Sequence, residues 1–137
     1  MEQEQWRELV ARAVLAPSSH NTQPWRFTVR DGALELHADR TRALAVNDPE
    51  DRELTISCAA ALLNLRAGAA AAGLVTTVEV DPDPASDLLA TVRCAPGEGD
   101  SELARLAGAI ALPHTSRQPF AARPLDVALI ERLAGAA

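Results

Sequence analysis

The sequence predicts an α+β protein with a small, mostly antiparallel sheet, a central alanine-rich helix and flanking helices. Three observations lead to this fold class. The dipeptide Asp31-Gly32 separates two short segments, as in a β-hairpin. A long helical pattern rich in alanine occupies residues 49–72, and two strand-like segments follow at 74–80 and 88–94. The 137 residues are enough for one domain with one core, and a hydrophobic share of 47% predicts that the chain folds.

The first element is predicted to be an amphipathic helix over residues 4–16, ended by Pro17. Its apolar side chains recur at intervals of three and four residues, which places them on one face. They are Trp6, Leu9, Val10, Ala13 and Val14.

The hairpin is predicted over residues 25–30 and 33–38. Leu34 and Leu36 alternate with Glu35 and His37, so the two leucines share one face of a strand. An Asp-Gly pair is a favoured two-residue turn because both positions adopt positive φ.

The helix over residues 49–72 carries terminal signals at both ends. Asp48 is a candidate N-cap, Pro49 suits the first helical position, and Gly73 suits the position after the end. A continuous apolar stripe predicts a central and mostly buried helix. It consists of Leu54, Cys58, Ala61, Leu62, Leu65, Ala69 and Ala72.

The remaining segments complete the α+β pattern. Residues 81–84, DPDP, are too rich in proline to be helix or sheet. Ser101 is predicted to cap a helix that runs to about residue 110, residues 112–124 are irregular, and Asp126 opens a last helix. The inward side chains of the helix after Ser101 are predicted to be Leu103, Leu106, Ala107 and Ile110, and the last helix carries Val127, Ile130 and Leu133.

Charge and composition exclude several functions. The formal net charge is −6, and all 13 basic residues are arginines. An acidic chain with scattered arginines is a poor general ligand for nucleic acid or anionic membranes, so we expect neither as a partner. The absence of lysine excludes Schiff-base chemistry by this chain, whereas arginine remains suited to binding a phosphate.

Cysteine use and the N-terminal sequence predict a cytoplasmic, soluble protein. Cys58 and Cys94 form no CxxC motif, which favours free thiols. The acidic start MEQEQWRE is unlike a secretory signal, and no apolar run is expected to reach the roughly 20 residues that cross a bilayer.

Neither a metal site nor a catalytic side chain is predicted. The three histidines, His20, His37 and His114, have no metal-ligand spacing. No nucleophile or acid–base pair stands out in the sequence.

Polar residues are concentrated between the first helix and the hairpin, in the segment APSSHNTQPWRF at 16–27. Turn formation explains such residues most often, because Ser, Asn and Thr side chains bond to nearby backbone. The order also permits a second interpretation, in which donors and acceptors followed by an aromatic residue border a flat heteroaromatic ligand. Asn and Gln carboxamides offer both donors and acceptors, as the edge of a flavin requires. The two interpretations are compatible.

This segment resembles the signature of the nitroreductase-like flavoproteins, PS followed after about two positions by N-x-QPW. The runs SCAAALLNLRAGAAAAGL at 57–74 and NDPEDRELTISCAAALLNL at 47–65 are similar to the central helix region of that family. The chain resembles the N-terminal half of an actinobacterial branch of NAD(P)H nitroreductases, in which two nitroreductase-like halves are fused. The resemblance covers nearly all 137 residues.

The resemblance implies an FMN cofactor, NAD(P)H as electron donor and a nitro or quinone-like acceptor. The segment HTSRQPF at 114–120 resembles the family's RRS-x-R-x-F, although His114 stands where an arginine is expected and the spacing from Arg117 to Phe120 differs by one. By resemblance the residues that line the flavin ring are Ser18, Ser19, Asn21 and Gln23, and those on the phosphate side are Thr115, Ser116 and Arg117.

The resemblance also predicts the organisation of the chain. Residues 1–111 are expected to form one nitroreductase-like half, and residues 112–137 the start of a second half in a truncated chain. Because two halves build each site in the family, we expect a homodimer or pairing with a second half of the same chain. Two alternatives remain: a flavin-binding or flavin-sequestering protein with little activity, or a dimerisation fragment without cofactor.

Overall fold

The computed structural model describes residues 1–81, 83 and 85–135, and the α+β prediction is confirmed. The helices are α1 (Gln3–Ala13), α2 (Arg52–Ala71), α3 (Ser101–Leu106) and α4 (Val127–Gly135). The strands are β1 (Trp25–Arg30), β2 (Ala33–Ala38), β3 (Leu74–Val80) and β4 (Leu88–Pro96). Short 3₁₀ helices lie at Ser19–Asn21, Arg40–Arg42 and Ala107–Ala109.

The four strands form one antiparallel sheet in the order β1-β2-β4-β3. The predicted hairpin is confirmed, since β1 pairs with β2 from Trp25 opposite Ala38 to Arg30 opposite Ala33. Its turn residues Asp31 and Gly32 have φ angles of 50° and 74°, the left-handed pair that a tight two-residue turn needs. The leucines of β2 lie on its buried face as the sequence predicts, because Leu34 and Leu36 are both 1% exposed.

The core lies between α2, α1 and the sheet. Its buried members include most of the predicted stripe of α2, three residues of α1 and inward side chains of β2 and β4; they are Leu54, Cys58, Ala61, Leu65, Ala69, Trp6, Leu9, Ala13, Leu34, Leu36 and Val92. Leu62 is half-buried against this cluster, whereas Ala72 is exposed at the end of the helix. Gly73 follows with a φ of 72°, as predicted for the position after a helix.

The start of α2 differs from the prediction. The helix begins at Arg52 after Asp51, so Asp48 and Pro49 lie outside it. Asp48 still caps the helix from upstream, because its Oδ2 accepts the Leu54 amide at 2.9 Å. Burial alone raises the pKa of the Asp48 carboxyl, but the amides of residues 52–54 outweigh it and hold this pKa below its usual range.

The expectation that no apolar run is long enough to cross a membrane is wrong. The 20 residues of α2 have a mean hydropathy of 1.4 and satisfy that test by length and composition. Half of its most apolar window is buried inside the protein, as in the core helix of a globular domain, and such a helix is weak evidence for a membrane span.

The ends of α1 and α3 also differ from the predictions. α1 ends at Ala13, and the chain closes with tighter i→i+3 bonds in which the amides of Leu15 and Ala16 donate to the carbonyls of Arg12 and Ala13 at 3.2 and 3.0 Å. Val14, predicted to face inward, is therefore exposed. α3 is capped by Asp100 rather than by Ser101, which is its first residue.

The C-terminal part of the chain extends away from the core. Every residue from 111 to 135 is exposed, and residues 112–124 are irregular as predicted. Asp126 opens α4 by accepting the amides of Ala128 and Leu129 at 2.9 and 3.3 Å. Pro82, Pro84, Ala136 and Ala137 lie outside the described residues, so part of the predicted 81–84 linker does too.

Candidate functional site

The polar segment between α1 and β1 forms a compact loop, called here the polar corner (residues 18–23). Its backbone is left-handed at His20, Asn21 and Gln23, with φ angles of 51°, 58° and 49°. Asparagine and histidine adopt this region more often than most residues, whereas glutamine rarely does. Such a cluster of unfavourable conformations is typical of functional sites.

Side chains of the corner bond to its own backbone. The Gln23 amide donates to Ser18 Oγ at 2.9 Å, and Thr22 Oγ1 donates to the Ser19 carbonyl at 2.9 Å. These bonds confirm the turn-forming role expected of Ser and Thr in this segment.

Other bonds attach the corner to α2 and the sheet. The Ser19 amide donates to Ser57 Oγ at 3.3 Å, and the Ser19 hydroxyl contacts the Glu53 carboxylate. At the end of the corner, the Pro24 carbonyl accepts the Cys58 thiol at 3.3 Å and the Asp39 amide at 2.8 Å. The position of the corner is therefore set by residues distant in sequence.

A cleft of about 620 Å³ lies beside the corner, within the size range of small-molecule sites. We call it the α1–α2 cleft. It is lined by Val14, Leu15, Ala16, Pro17, Asn21, Gln23, Leu63, Asn64, Ala67, Leu106, Ala109, Ile110, Pro113, His114 and Thr115.

The lining combines an apolar surface with a few polar groups. Leu63 of α2 and Leu106 of α3 are both about half exposed, at 45% and 49%. Asn21 and Gln23 contribute carboxamides, and Thr115 contributes a hydroxyl from the C-terminal segment. An apolar surface with few polar groups is the usual composition of a site for a flat organic ligand.

The structure brings three of the predicted site residues together and separates the others. Asn21, Gln23 and Thr115 line the same cleft. Ser18 and Ser19 do not line it and instead take part in the hydrogen bonds of the corner. The remaining two, Ser116 and Arg117, are exposed outside the lining.

Sequence reasoning missed most of the apolar part of the lining. Leu63 lies one residue outside the predicted stripe of α2, and Leu106 and Ile110 were expected to face inward. The sequence signal that could have identified Leu63 is that it is an apolar residue of α2 outside the predicted apolar stripe. Trp25, the aromatic residue that follows the polar segment, is 9% exposed, belongs to the core and does not line the cleft.

The cleft suits the ring system of a flavin better than its phosphate. Its apolar walls and carboxamides match a flat ring with a polar edge. No arginine is among the lining residues, and within the described part of the chain Arg117 forms no ion pair. The lining of the cleft therefore offers no guanidinium to a phosphate group.

The thiols are free and are not placed for chemistry at the cleft. Cys58 is buried, and its burial raises the pKa of the thiol to about 12. Cys94 on β4 is half-buried, and burial raises its thiol pKa as well. Thiols of this kind are poor nucleophiles. Over the described residues no cluster of three or more His, Cys, Asp or Glu side chains is placed to hold a metal ion.

The fold is shared with solved proteins of the nitroreductase type. A protein from Parabacteroides distasonis, described as a "putative NADH dehydrogenase/NAD(P)H nitroreductase", aligns with a TM-score of 0.59 at 20% identity, over 74% of this chain and 78% of that one. A "putative nitroreductase in complex with FMN" from Desulfovibrio desulfuricans aligns with a TM-score of 0.58 at 17% identity, over 92% and 87%. The fold class is therefore that of the nitroreductases.

Sequence comparison identifies the family. The Nitroreductase family model matches residues 1–50, which include the polar corner. "Putative NAD(P)H nitroreductase acg" of Mycobacterium tuberculosis is 40% identical over 127 residues, covering 91% of this chain. A second protein of that bacterium, also described as a "putative NAD(P)H nitroreductase", is 38% identical over 128 residues and covers 90%. The chain is therefore a nitroreductase-like family member. It spans 38% and 37% of the lengths of these two relatives.

Proposed function

We propose that the chain provides one side of an FMN site and that the complete protein is an oxidoreductase of the nitroreductase type. It would pass electrons from NAD(P)H through the flavin to a nitro or quinone-like acceptor. The observation that carries this proposal is the position of Asn21 and Gln23 beside the apolar α1–α2 cleft, in a loop whose motif resembles that of the family and lies within the residues that the family model matches. The FMN bound by the Desulfovibrio neighbour supports the choice of cofactor.

The residues of this chain bind and orient in this proposal, and none acts as a catalytic group. Leu63, Leu106 and Ile110 would cover one face of the ring and exclude water. The carboxamides of Asn21 and Gln23 would meet the donors and acceptors along its edge. FMN supplies the hydride and electron chemistry when bound.

The phosphate side of the site requires a partner. Arg117 is exposed and outside the cleft, so it is available to another copy or to another half of a longer chain. We propose that Ser116 and Arg117 bind the ribityl phosphate of a flavin whose ring lies against the corner of the other half, and that the adjacent Thr115, which lines the cleft of its own half, contributes from the boundary between the two. The pairing would be a homodimer of this chain or a fused pair of halves. Arg117 would then serve a site other than the cleft that residues 113–115 line in their own chain.

The location of the protein follows from the same proposal. An NAD(P)H-dependent flavoenzyme needs reduced nicotinamide, and its two cysteines are free rather than paired. We therefore propose that the protein works in the cytoplasm, without a nucleic-acid or membrane partner.

The purified protein tests this function directly. Its visible spectrum should show the flavin absorption band, and NADH or NADPH should bleach that band in the absence of oxygen. A flavin band that neither nucleotide bleaches would favour a flavin-binding or flavin-sequestering protein. Purified protein that carries no flavin and does not bind added FMN would favour the cofactor-free dimerisation fragment.

A further inference from the structure

The polar corner needs bonds from outside to keep its shape. Three of its six residues, His20, Asn21 and Gln23, have positive φ angles. Each non-glycine residue in this region costs conformational free energy, so the surrounding structure must compensate. The bonds that reach the corner from elsewhere therefore decide where its side chains lie.

Two side chains of α2, one helical turn apart, contact the same corner residue. Ser57 Oγ accepts the Ser19 amide at 3.3 Å, and the Glu53 carboxylate contacts the Ser19 hydroxyl. Residues four apart lie on one face of a helix, so α2 contacts both the backbone and the side chain of Ser19.

The Ser57 hydroxyl both donates and accepts a hydrogen bond. It donates to the Glu53 carbonyl at 2.7 Å, it accepts from Ser19, and the residue is 4% exposed. Its neighbours on the buried face, Leu54 and Cys58, belong to the apolar core. Alanine would be a better helix former at this position. The polar residue therefore contributes chiefly through the bond to the corner.

The residue held by this bond, Ser19, is close in sequence to two residues that line the α1–α2 cleft. Asn21 and Gln23 follow Ser19 within four residues, and both line the cleft, whereas Ser57 does not. A carboxamide recognises a ring edge only when its backbone holds it in register with the donors and acceptors of the ligand.

We propose that Ser57 is a positioning residue of the cleft. Its hydroxyl holds the Ser19 amide, and through it the carboxamides of Asn21 and Gln23, so that they meet the edge of a flat heteroaromatic ligand. The inference rests on the proposed function in taking FMN as that ligand.

Ser57→Ala tests the inference, with Thr55→Ala as the matched control. Thr55 also donates to a carbonyl four residues back, from Oγ1 to Asp51 at 2.8 Å, but it lies on the exposed side of α2 away from the corner. Both variants thus remove one hydroxyl of the same kind from the same helix. Titration of FMN into the full chain should give a dissociation constant about three- to tenfold higher for Ser57→Ala, as expected for one lost hydrogen bond, and an unchanged one for Thr55→Ala.

Hydrogen exchange adds a readout that does not need flavin. Amides in the peptide covering residues 17–24 should exchange faster in Ser57→Ala than in Thr55→Ala, while the melting temperatures of the two variants stay similar. Ser57→Thr, which keeps the hydroxyl, should restore slow exchange and FMN affinity. A purely structural role would lower the melting temperature without changing FMN affinity.

Each result decides the inference. Equal FMN affinity in wild type and Ser57→Ala, or equal exchange in the corner, would overturn it. Should Ser57→Ala fail to fold, Ser57→Cys replaces the hydroxyl with a much weaker hydrogen-bond acceptor at the same position, and unchanged corner exchange in that variant would overturn the inference equally. Wild-type protein that binds no FMN would refute the proposed function, and the exchange comparison would still decide whether Ser57 holds the corner.

Discussion

The Cys58 thiol donates a hydrogen bond of 3.3 Å to the Pro24 carbonyl, across 34 positions of sequence. The bond joins the middle of α2 to the residue before β1, at the point where the polar corner ends. The same carbonyl accepts the Asp39 amide at 2.8 Å, so α2, the start of β1 and the end of β2 meet there. Contacts with α2 therefore hold the polar corner near both of its ends, at Ser19 and at Pro24.

The first prediction concerns the reactivity of this thiol. With a pKa of about 12, Cys58 has almost no thiolate at pH 8. We expect Ellman's reagent to leave Cys58 of native Cys94→Ser protein unmodified for hours and to modify it at once in guanidinium chloride. Rapid modification of the native variant would show that the helix and β1 separate readily. The reactivity of Cys94 is measured for comparison in Cys58→Ser, where Cys94 is the remaining thiol.

The second prediction concerns pH and the start of α2. The folded state lowers the pKa of Asp48 below its ordinary 3.8, so the charged carboxylate stabilises the fold above that value. This contribution is lost as the pH falls from 3.8 through the lowered folded pKa. We expect Asp48→Asn to be less stable than wild type in urea at pH 6 and the difference to shrink below about pH 4. A difference that is constant from pH 6 to pH 3 would contradict the role of the charge.

The third prediction tests close packing at the end of α2. A Cβ on Gly99 would lie 2.8 Å from both Cα and the carbonyl oxygen of Ala70 and 3.0 Å from the Leu74 carbonyl oxygen, all backbone atoms. We expect Gly99→Ala to destabilise the protein by about 1–3 kcal/mol in thermal or urea unfolding, because backbone cannot move aside as a side chain can. Gly108→Ala is the matched control, since a Cβ at Gly108 meets nothing within 4 Å. Equal stability of the two variants would mean that the 97–100 loop does not pack on α2.

The local features of the fold could be predicted from sequence, and the long-range ones could not. Asp31-Gly32 specifies its turn through the φ preferences of two adjacent residues, so the hairpin was predicted correctly. Asp48 caps α2 from three residues before Asp51, a geometry that depends on how the intervening chain folds back. The capping role of such a residue cannot be predicted before the tertiary structure is known.

The same distinction holds for the candidate site. The motif indicated Asn21 and Gln23, and both line the cleft. The apolar walls were missed because Leu63 and Ile110 come from different helical segments and meet only when α2 and α3 pack. Ser57 was read only as part of a helix, since its bond to Ser19 spans 38 residues.

The fourth prediction concerns the phosphate. Arg117→Ala should weaken FMN binding, because a charge-assisted bond to a phosphate contributes about 1.5–3 kcal/mol, or roughly ten- to a hundredfold in affinity. Arg123→Ala is the control, since Arg123 lies in the same exposed segment outside the TSR motif. FMN titration into both variants decides the matter. Equal affinities would place the phosphate site on other residues.

The fifth prediction concerns assembly, and it follows from apolar surfaces that the described chain leaves bare. Ile56 and Leu63 on α2 are 56% and 45% exposed, and Val127 and Leu133 on α4 are 68% and 58% exposed. Exposed apolar residues collected in patches mark interfaces between proteins. A two-fold dimer is the commonest closed arrangement, and one that brings residues 18–23 of one copy towards Arg117 of the other would complete the proposed FMN site.

We therefore expect the chain to form a dimer through an interface of more than about 2,000 Å² of total buried area. Light scattering at micromolar concentration should give twice the 14.5 kDa of one chain, with FMN strengthening the association because both copies would contact it. Ile56→Asp, on α2 outside the cleft lining, should weaken the dimer, whereas Glu79→Gln, on the exposed side of the edge strand β3, should leave it intact. A monomer at all concentrations, with and without FMN, would exclude a site shared between two copies. The second half of the site would then have to come from a longer chain.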